Sequence, residues 1–188
     1  MQEKILYSIG QSVQAVEALK TKAALMFIEN VALELSSAFK NGGKVIVAGN
    51  GGSLCDAVHF AEELTGFFRK MRPALPAIAL SEPGHLTCTA NDVGYDLVFS
   101  RGVEAHGKKG DVFIGLSTSG NSPNVLKAFD VAKKMGLKTV SFLGKDGGKA
   151  LGVADFELVI PGKTTDRIQE SHMTALHILV EMVEYSLF

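Results

Sequence analysis

Seven consecutive residues, Ser117-Thr118-Ser119-Gly120-Asn121-Ser122-Pro123, bring four hydroxyls together in one short stretch. An apolar run of strand length, residues 111–116, precedes them, and residues 124–132 carry apolar side chains at helical spacing. The stretch is therefore a strand-to-helix turn. Ser122 suits the N-cap and Pro123 the first helical position, where a missing N–H costs nothing. Such a turn aims hydroxyls and free backbone N–H groups from the positive end of a helix, an arrangement that attracts phosphate. The lysine of a nucleotide-binding P-loop is absent, and hydroxyls with amides alone suit a phosphate monoester better than a magnesium triphosphate. In isolation the same residues also describe a well-capped polar turn.

A second glycine-rich turn, Gly49-Asn50-Gly51-Gly52-Ser53, follows another strand-like run and opens another helix. The dinucleotide fingerprint asks for glycine or alanine where Leu54 stands. These glycines instead let the backbone approach a sugar, with Asn50 and Ser53 placed to hydrogen-bond its hydroxyls. The helix beyond carries His59 and Glu63, four residues apart and so on one face. A histidine and a carboxylate so placed can share a divalent metal, form an acid–base pair, or belong to a solvated face. The last helix holds Asp166, Gln169, His172 and His177, with His177 drawn inward between Leu176 and Ile178. Gln169 and His177 are separated by about 12 Å along a straight helix, whereas two ligands of one tetrahedral zinc lie about 3–3.5 Å apart. One chain cannot easily supply both to the same ion, so a site using both would draw one from a neighbouring subunit. His85, His106 and His172 read as surface or capping residues.

These side chains need a frame. Ile5, Ile9, Val13 and Val16, then Met26, Ile28, Val31, Leu33 and Phe39, predict two helices over residues 2–40, split near Thr21 and ended by Asn41-Gly42-Gly43. Strands are predicted at 44–48, 77–80, 111–116, 138–143 and 156–160. Between them come a third helix to about Lys70, mainly helical residues 83–106 with a break at 91–94, and a final helix from about Thr165 to Leu187. Strands alternating with helices imply right-handed βαβ units and a parallel sheet covered on both faces. Ligands of such sheets bind beyond the carboxyl ends of the strands, where both polar turns lie.

At 188 residues the chain makes one domain with room for a substantial core. Its 19 basic and 20 acidic residues give no reason to expect nucleic acid or an anionic membrane as partner. No apolar run nears the roughly 20 residues of a bilayer span. The Met1 start shows no signal segment, so the expected location is cytoplasmic. Cys55 and Cys88 are too few for a disulfide framework or a thiolate metal site and are expected as small buried fillers.

Taken in order, AGNGGSLCDAVHFAEELTG, TANDVGYD, FSRGVEA, STSGNSPN, GKDGG and DRIQESH with a following histidine resemble the sugar isomerase (SIS) domain family, and within it the phosphoheptose isomerases. The set runs over nearly the whole chain, whereas STSGNS alone would mark only the wider sugar-phosphate-binding superfamily. The resemblance implies a single SIS domain over residues 1–188, an α/β fold whose five-stranded parallel sheet lies between helices as a flavodoxin-like three-layer sandwich. It also implies a homotetramer with active sites shared between subunits, in which the N-terminal helices, about residues 2–40, serve oligomerisation. Zinc, one ion per subunit, would be held by His59, Glu63, Gln169 and His177. Substrate contacts would come from Asn50, Gly51, Gly52, Ser53, Glu63, Asn91, Asp92, Ser117, Thr118, Ser119, Ser122, Asp166 and Gln169.

The implied reaction is aldose–ketose isomerisation of sedoheptulose 7-phosphate to D-glycero-D-manno-heptose 7-phosphate through an enediol. It would open nucleotide-activated heptose synthesis for lipopolysaccharide core or other heptose glycans. Glu63 would take the carbon-bound proton and His177 would serve the oxygens. One position departs from the pattern: Phe67 stands where the family usually places arginine, and Arg69 and Lys70 are the nearest cations in sequence. The competing reading is a catalytically silent sugar-phosphate sensor or scaffold of the same superfamily, which needs neither Glu63 nor His177.

Overall fold

The computed structural model describes all 188 residues, Met1–Phe188. Five strands, β1 (Val45–Gly49), β2 (Ala77–Ala79), β3 (Val112–Ser117), β4 (Lys138–Gly144) and β5 (Phe156–Ile160), form one parallel sheet in the order β2-β1-β3-β4-β5. This is the flavodoxin-like order, and strand order reverses between β1 and β3. Both of those strands are buried along their whole length, which is why each reads as an unbroken apolar run. Their side chains alternate between two cores. Val45, Val47, Val112, Ile114 and Leu116 enter one, while Ile46, Ala48 and Phe113 enter the other.

Seven α-helices flank the sheet: α1 (Gln2–Glu17), α2 (Lys22–Lys40), α3 (Gly52–Thr65), α4 (Pro83–Asp92), α5 (Val98–His106), α6 (Pro123–Lys134) and α7 (Thr165–Leu187). Helices α2, α3 and α7 pack on the first core, and α5 and α6 on the second. Along α2, Ala24, Phe27, Ile28, Val31, Ala32 and Leu35 are buried at spacings of three and four. Each of the larger ones contributes about 1.5–3 kcal/mol by leaving water. The break near Thr21 is a single 3-10 turn, Ala18–Lys20, after which the Thr21 hydroxyl caps α2 by accepting the Ala24 N–H at 3.3 Å. Helix α1 buries only Ala15 and leaves Ile5, Leu6, Ile9 and Val13 exposed.

Three expectations fail. Helix α3 stops at Thr65 rather than near Lys70, because the Phe68 and Arg69 N–H groups bond the Glu184 carboxylate at 3.2 and 3.1 Å instead of continuing the helix. Cys55 and Cys88 are exposed free thiols, on outward faces of α3 and α4, and fill no core. His172 is fully buried, because it falls on the same face of α7 as Ile168, Ala175 and Leu179. Its Nε2–H donates to the Leu143 carbonyl at 2.9 Å and ties α7 to the end of β4, while Nδ1 is buried without a partner.

Burial pulls the His172 pKa down to about 4, against the smaller opposing effect of the Leu143 carbonyl. Between that value and the ordinary one near 6.5, the unfolded chain binds a proton that the folded chain refuses, so stability rises with pH across this window. Acidification from pH 7 to pH 4 should therefore cost about 3 kcal/mol at this site alone. Urea denaturation of wild type and His172→Gln checks it: the variant's stability should fall less between pH 6.5 and 4, and parallel pH profiles would rule the effect out.

Candidate active site

The hydroxyl-rich turn lies beyond the carboxyl end of β3 and leads into α6. Ser122 occupies the N-cap position of α6, yet its side chain makes no cap; its hydroxyl pairs with that of Ser117 at 3.0 Å across the turn. Ser119 Oγ accepts the Asn121 N–H, and Asn121 Nδ2 returns a hydrogen bond to the Ser119 carbonyl at 2.8 Å. Beneath the turn, the Lys149 N–H bonds Asn121 Oδ1 and the Ala150 N–H bonds the Gly120 carbonyl at 2.9 Å. Lys149 and Ala150, directly after the GKDGG segment, thus form the floor of the turn.

The other glycine turn joins β1 to α3. Asn50 and Asn124 exchange side-chain hydrogen bonds, both at 2.9 Å, and the Tyr95 hydroxyl donates to Asn50 Oδ1 at 2.8 Å. The Asn50 amide therefore locks the two turns together. Asn124 and Tyr95 were not singled out by sequence; the only signal for the first is its place directly after Pro123. A Cβ on Gly52 would lie 2.6–2.8 Å from the Gln169 amide, which also reaches Ser53 Oγ at 3.4 Å. Gln169 consequently sits at the α3 N-terminus. Asp166, one turn earlier on α7, is exposed, with its carboxyl held below the ordinary range chiefly by the Thr164 hydroxyl. Asn91 and Asp92 end α4, where hydrogen bonds from Asn91 and then Cys88 keep the Asp92 carboxyl low. Tyr95, which reaches Asn50, follows three residues later, whereas Asn91 and Asp92 hydrogen-bond each other and neither turn.

A second cluster lies farther along α3. His59 Nε2 stands 3.3 Å from Glu63 Oε1 and 3.4 Å from His177 Nε2, and the three ligand atoms all lie within 4.8 Å of one another. Ligands 2.0–2.1 Å from a tetrahedral ion are separated by about 3.3 Å, the spacing of two of these three pairs, so the cluster is a His/Glu/His set able to hold a divalent metal. Burial, and then the charge of His59, lowers the His177 pKa against the pull of Glu63, leaving a neutral imidazole at pH 7. Phe68 stacks on His177 with ring centroids 5.6 Å apart and planes 20° apart. Phe67 is exposed, and Arg69, bonded to Glu181 and lying over Phe68 at 5.4 Å, is a cation beside this stack. Asp56, one turn before His59, was also missed. Burial raises its pKa to about 6 despite His59, and its Oδ2 has no partner. Its signal was spacing alone, since it shares a helix face with Gly52 and His59.

Gln169 is not part of this cluster. It touches Gly52, and along α3 His59 and Glu63 lie about 10 and 16 Å farther on. Within one chain, the four ligands expected together divide into three at the cluster and one at the glycine turn that opens α3.

The family model described as "SIS domain" matches residues 9–144. A phosphoheptose isomerase of Fusobacterium nucleatum subsp. nucleatum is 61% identical over 160 residues, covering 85% of this chain and 82% of its own length. One from Glaesserella parasuis serovar 5 is 48% identical, with 99% and 98% covered. The solved phosphoheptose isomerase of Francisella tularensis superposes with a TM-score of 0.93 at 32% identity, and that of Neisseria gonorrhoeae with 0.91 at 35%; each pairing covers 98% of both chains. On the strength of these matches, made over most of its length, the chain belongs to the SIS domain family and, within it, to the phosphoheptose isomerases.

Proposed function

We propose that this chain isomerises sedoheptulose 7-phosphate to D-glycero-D-manno-heptose 7-phosphate, with Glu63 and His177 moving the protons. The observation that carries this reading is the convergence of His59, Glu63 and His177 from two helices at metal-ligand spacing. A silent sensor would require only the phosphate cradle. Zinc held by these residues would polarise the substrate carbonyl. Glu63 then takes the carbon-bound proton and returns it to the neighbouring carbon, while neutral His177 exchanges a proton between the two oxygens. Ser117, Thr118, Ser119 and Ser122 hold the phosphate, with Asn50–Ser53, Asn91, Asp92 and Asp166 along the sugar. Binding at that far end fixes the reacting carbons.

The separation of Gln169 from the cluster favours a shared site. Gln169 touches Gly52, roughly 16 Å from Glu63 along α3, farther than two ligands of one ion can stand. A homotetramer that brings Gln169 of the partner subunit to the cluster would close this gap and complete a four-ligand zinc site. The exposed apolar residues of α1 suit such an assembly. So does the groove of about 660 Å³ between α1, α2 and α7, lined by Leu19, Leu25, Leu33, Ile178 and Met182. Exposed free thiols suit the reducing cytoplasm, where the product would feed nucleotide-activated heptose synthesis for lipopolysaccharide.

NMR of sedoheptulose 7-phosphate incubated with metal-stripped and zinc-restored protein tests reaction and metal together. Aldose signals should appear only with zinc, and light scattering should give about four times the 20.0 kDa chain mass. A zinc-restored protein that leaves the ketose unchanged, or a monomer with full activity, would overturn the corresponding claim.

A further inference from the structure

Residues 66–76, between α3 and β2, contain no helix or strand, yet they are tightly held. One buried ion pair does this. Glu184 of α7 accepts the Phe68 and Arg69 N–H groups and Arg72 Nε, the last at 2.8 Å. The Arg72 guanidinium also donates to the carbonyls of Glu63 at 2.8 Å, Leu64 at 2.9 Å, Gly66 at 3.3 Å and Pro73 at 3.1 Å. The two side chains are only 1% and 3% exposed. Burying such a pair is seldom worth more for stability than an apolar pair of the same volume, so its presence calls for another reason. The geometry supplies one. The clamp grips the backbone of Glu63 directly, and by fixing residue 68 it lays the Phe68 ring on His177.

We infer that Arg72 and Glu184 are positioning residues that set Glu63 and His177 at ligand distance from His59. The inference rests on the metal-assisted reading above. A planar fork is needed to satisfy several carbonyls and a carboxylate at once, which lysine cannot do. The phosphate cradle lies between β3 and α6, and none of the clamp's hydrogen bonds reaches it. Disturbing the clamp should therefore affect metal and turnover while sparing the grip on the sugar phosphate.

The test compares Glu184→Gln and Arg72→Lys with wild type, using cobalt(II) as a spectroscopic probe and sedoheptulose 7-phosphate kinetics on the zinc-loaded proteins. Both variants should bind cobalt about 10–100-fold more weakly, as loss of groups that orient ligands typically does. Their visible absorption band should change and kcat should fall, with KM within about twofold of wild type. Phe99→Leu, in the core on the other face of the sheet, serves as a control of similar instability and should keep wild-type cobalt affinity. If Glu184→Gln does not fold, Arg72→Lys decides. Wild-type cobalt affinity and spectrum in a folded clamp variant, or equal loss in Phe99→Leu, overturns the positioning role alone. A wild-type protein that binds no cobalt overturns both this role and the metal reading beneath it.

Discussion

Glu63→Gln should lose about 10²–10⁴-fold in kcat while still binding sedoheptulose 7-phosphate, the loss expected when a positioned general base is removed. Isomerisation through an enediol needs one group that can accept a proton from carbon and return it next door. Glu63 is the only carboxylate among the three clustered side chains, and its side chain is 18% exposed. Glutamine keeps the shape and an oxygen able to ligate a metal but cannot take a proton. The substitution therefore separates two duties that pull against each other, since a carboxylate near a cation is a weaker base than a free one. Three readings on one preparation decide: zinc stoichiometry, calorimetric affinity for the sugar phosphate, and solvent deuterium uptake by the substrate. Retained zinc and binding with no deuterium uptake establish the base. Wild-type turnover removes Glu63 from that role, and joint loss of zinc and turnover reduces it to a ligand.

Most of the frame was legible because its signals are local. Strand β5 and helix α7 lie where period and breakers put them, and β1 and β3 are so fully buried that their apolar runs admit no other reading. Local signals failed where distant residues intervene. Nothing between Thr65 and Lys70 reveals that Glu184, more than 100 residues away, captures the N–H groups needed for another helical turn. His172 is flanked by Ser171 and Met173, so its neighbours suggest surface; only its phase with Ile168 and Ala175 gives its burial away. At the site, the pairing of His59 with Glu63 follows from helical spacing. The approach of His177, which is 118 residues from His59, came only through family resemblance. The helical rise from Gln169 to His177 was enough to deny one chain both ligands, and the structure keeps them apart. Asn50 shows the converse. Its type suggested sugar recognition, and nothing in its neighbourhood in sequence reveals that its amide also ties the two turns together through Asn124 and Tyr95.

Gly120→Ala should be the most damaging single substitution in the phosphate cradle. Gly120 has φ +62, and a Cβ there would lie 1.8 Å from the Gly147 carbonyl oxygen and 2.4 Å from its carbon. The left-handed backbone costs alanine about 1–2 kcal/mol. The clash adds at least the 1–3 kcal/mol of ordinary overpacking, because the obstacle is backbone and cannot swing aside. Relief requires parting the turn from its floor, which breaks the Ala150 to Gly120 and Lys149 to Asn121 hydrogen bonds and lets Ser119 and Ser122 drift from the phosphate. Denaturant unfolding should show a loss of about 3–5 kcal/mol. The folded fraction should have a KM for the sugar phosphate raised by tenfold or more, with inorganic phosphate a correspondingly poorer competitor, because every 1.4 kcal/mol of lost binding is a factor of ten. Metal content should not change, since no hydrogen bond joins His59, Glu63 or His177 to this turn or to its floor. A Gly120→Ala protein with wild-type stability and KM would mean that the turn does not grip the phosphate through its packed geometry. A protein that instead lost its metal would mean that cradle and cluster are one rigid unit.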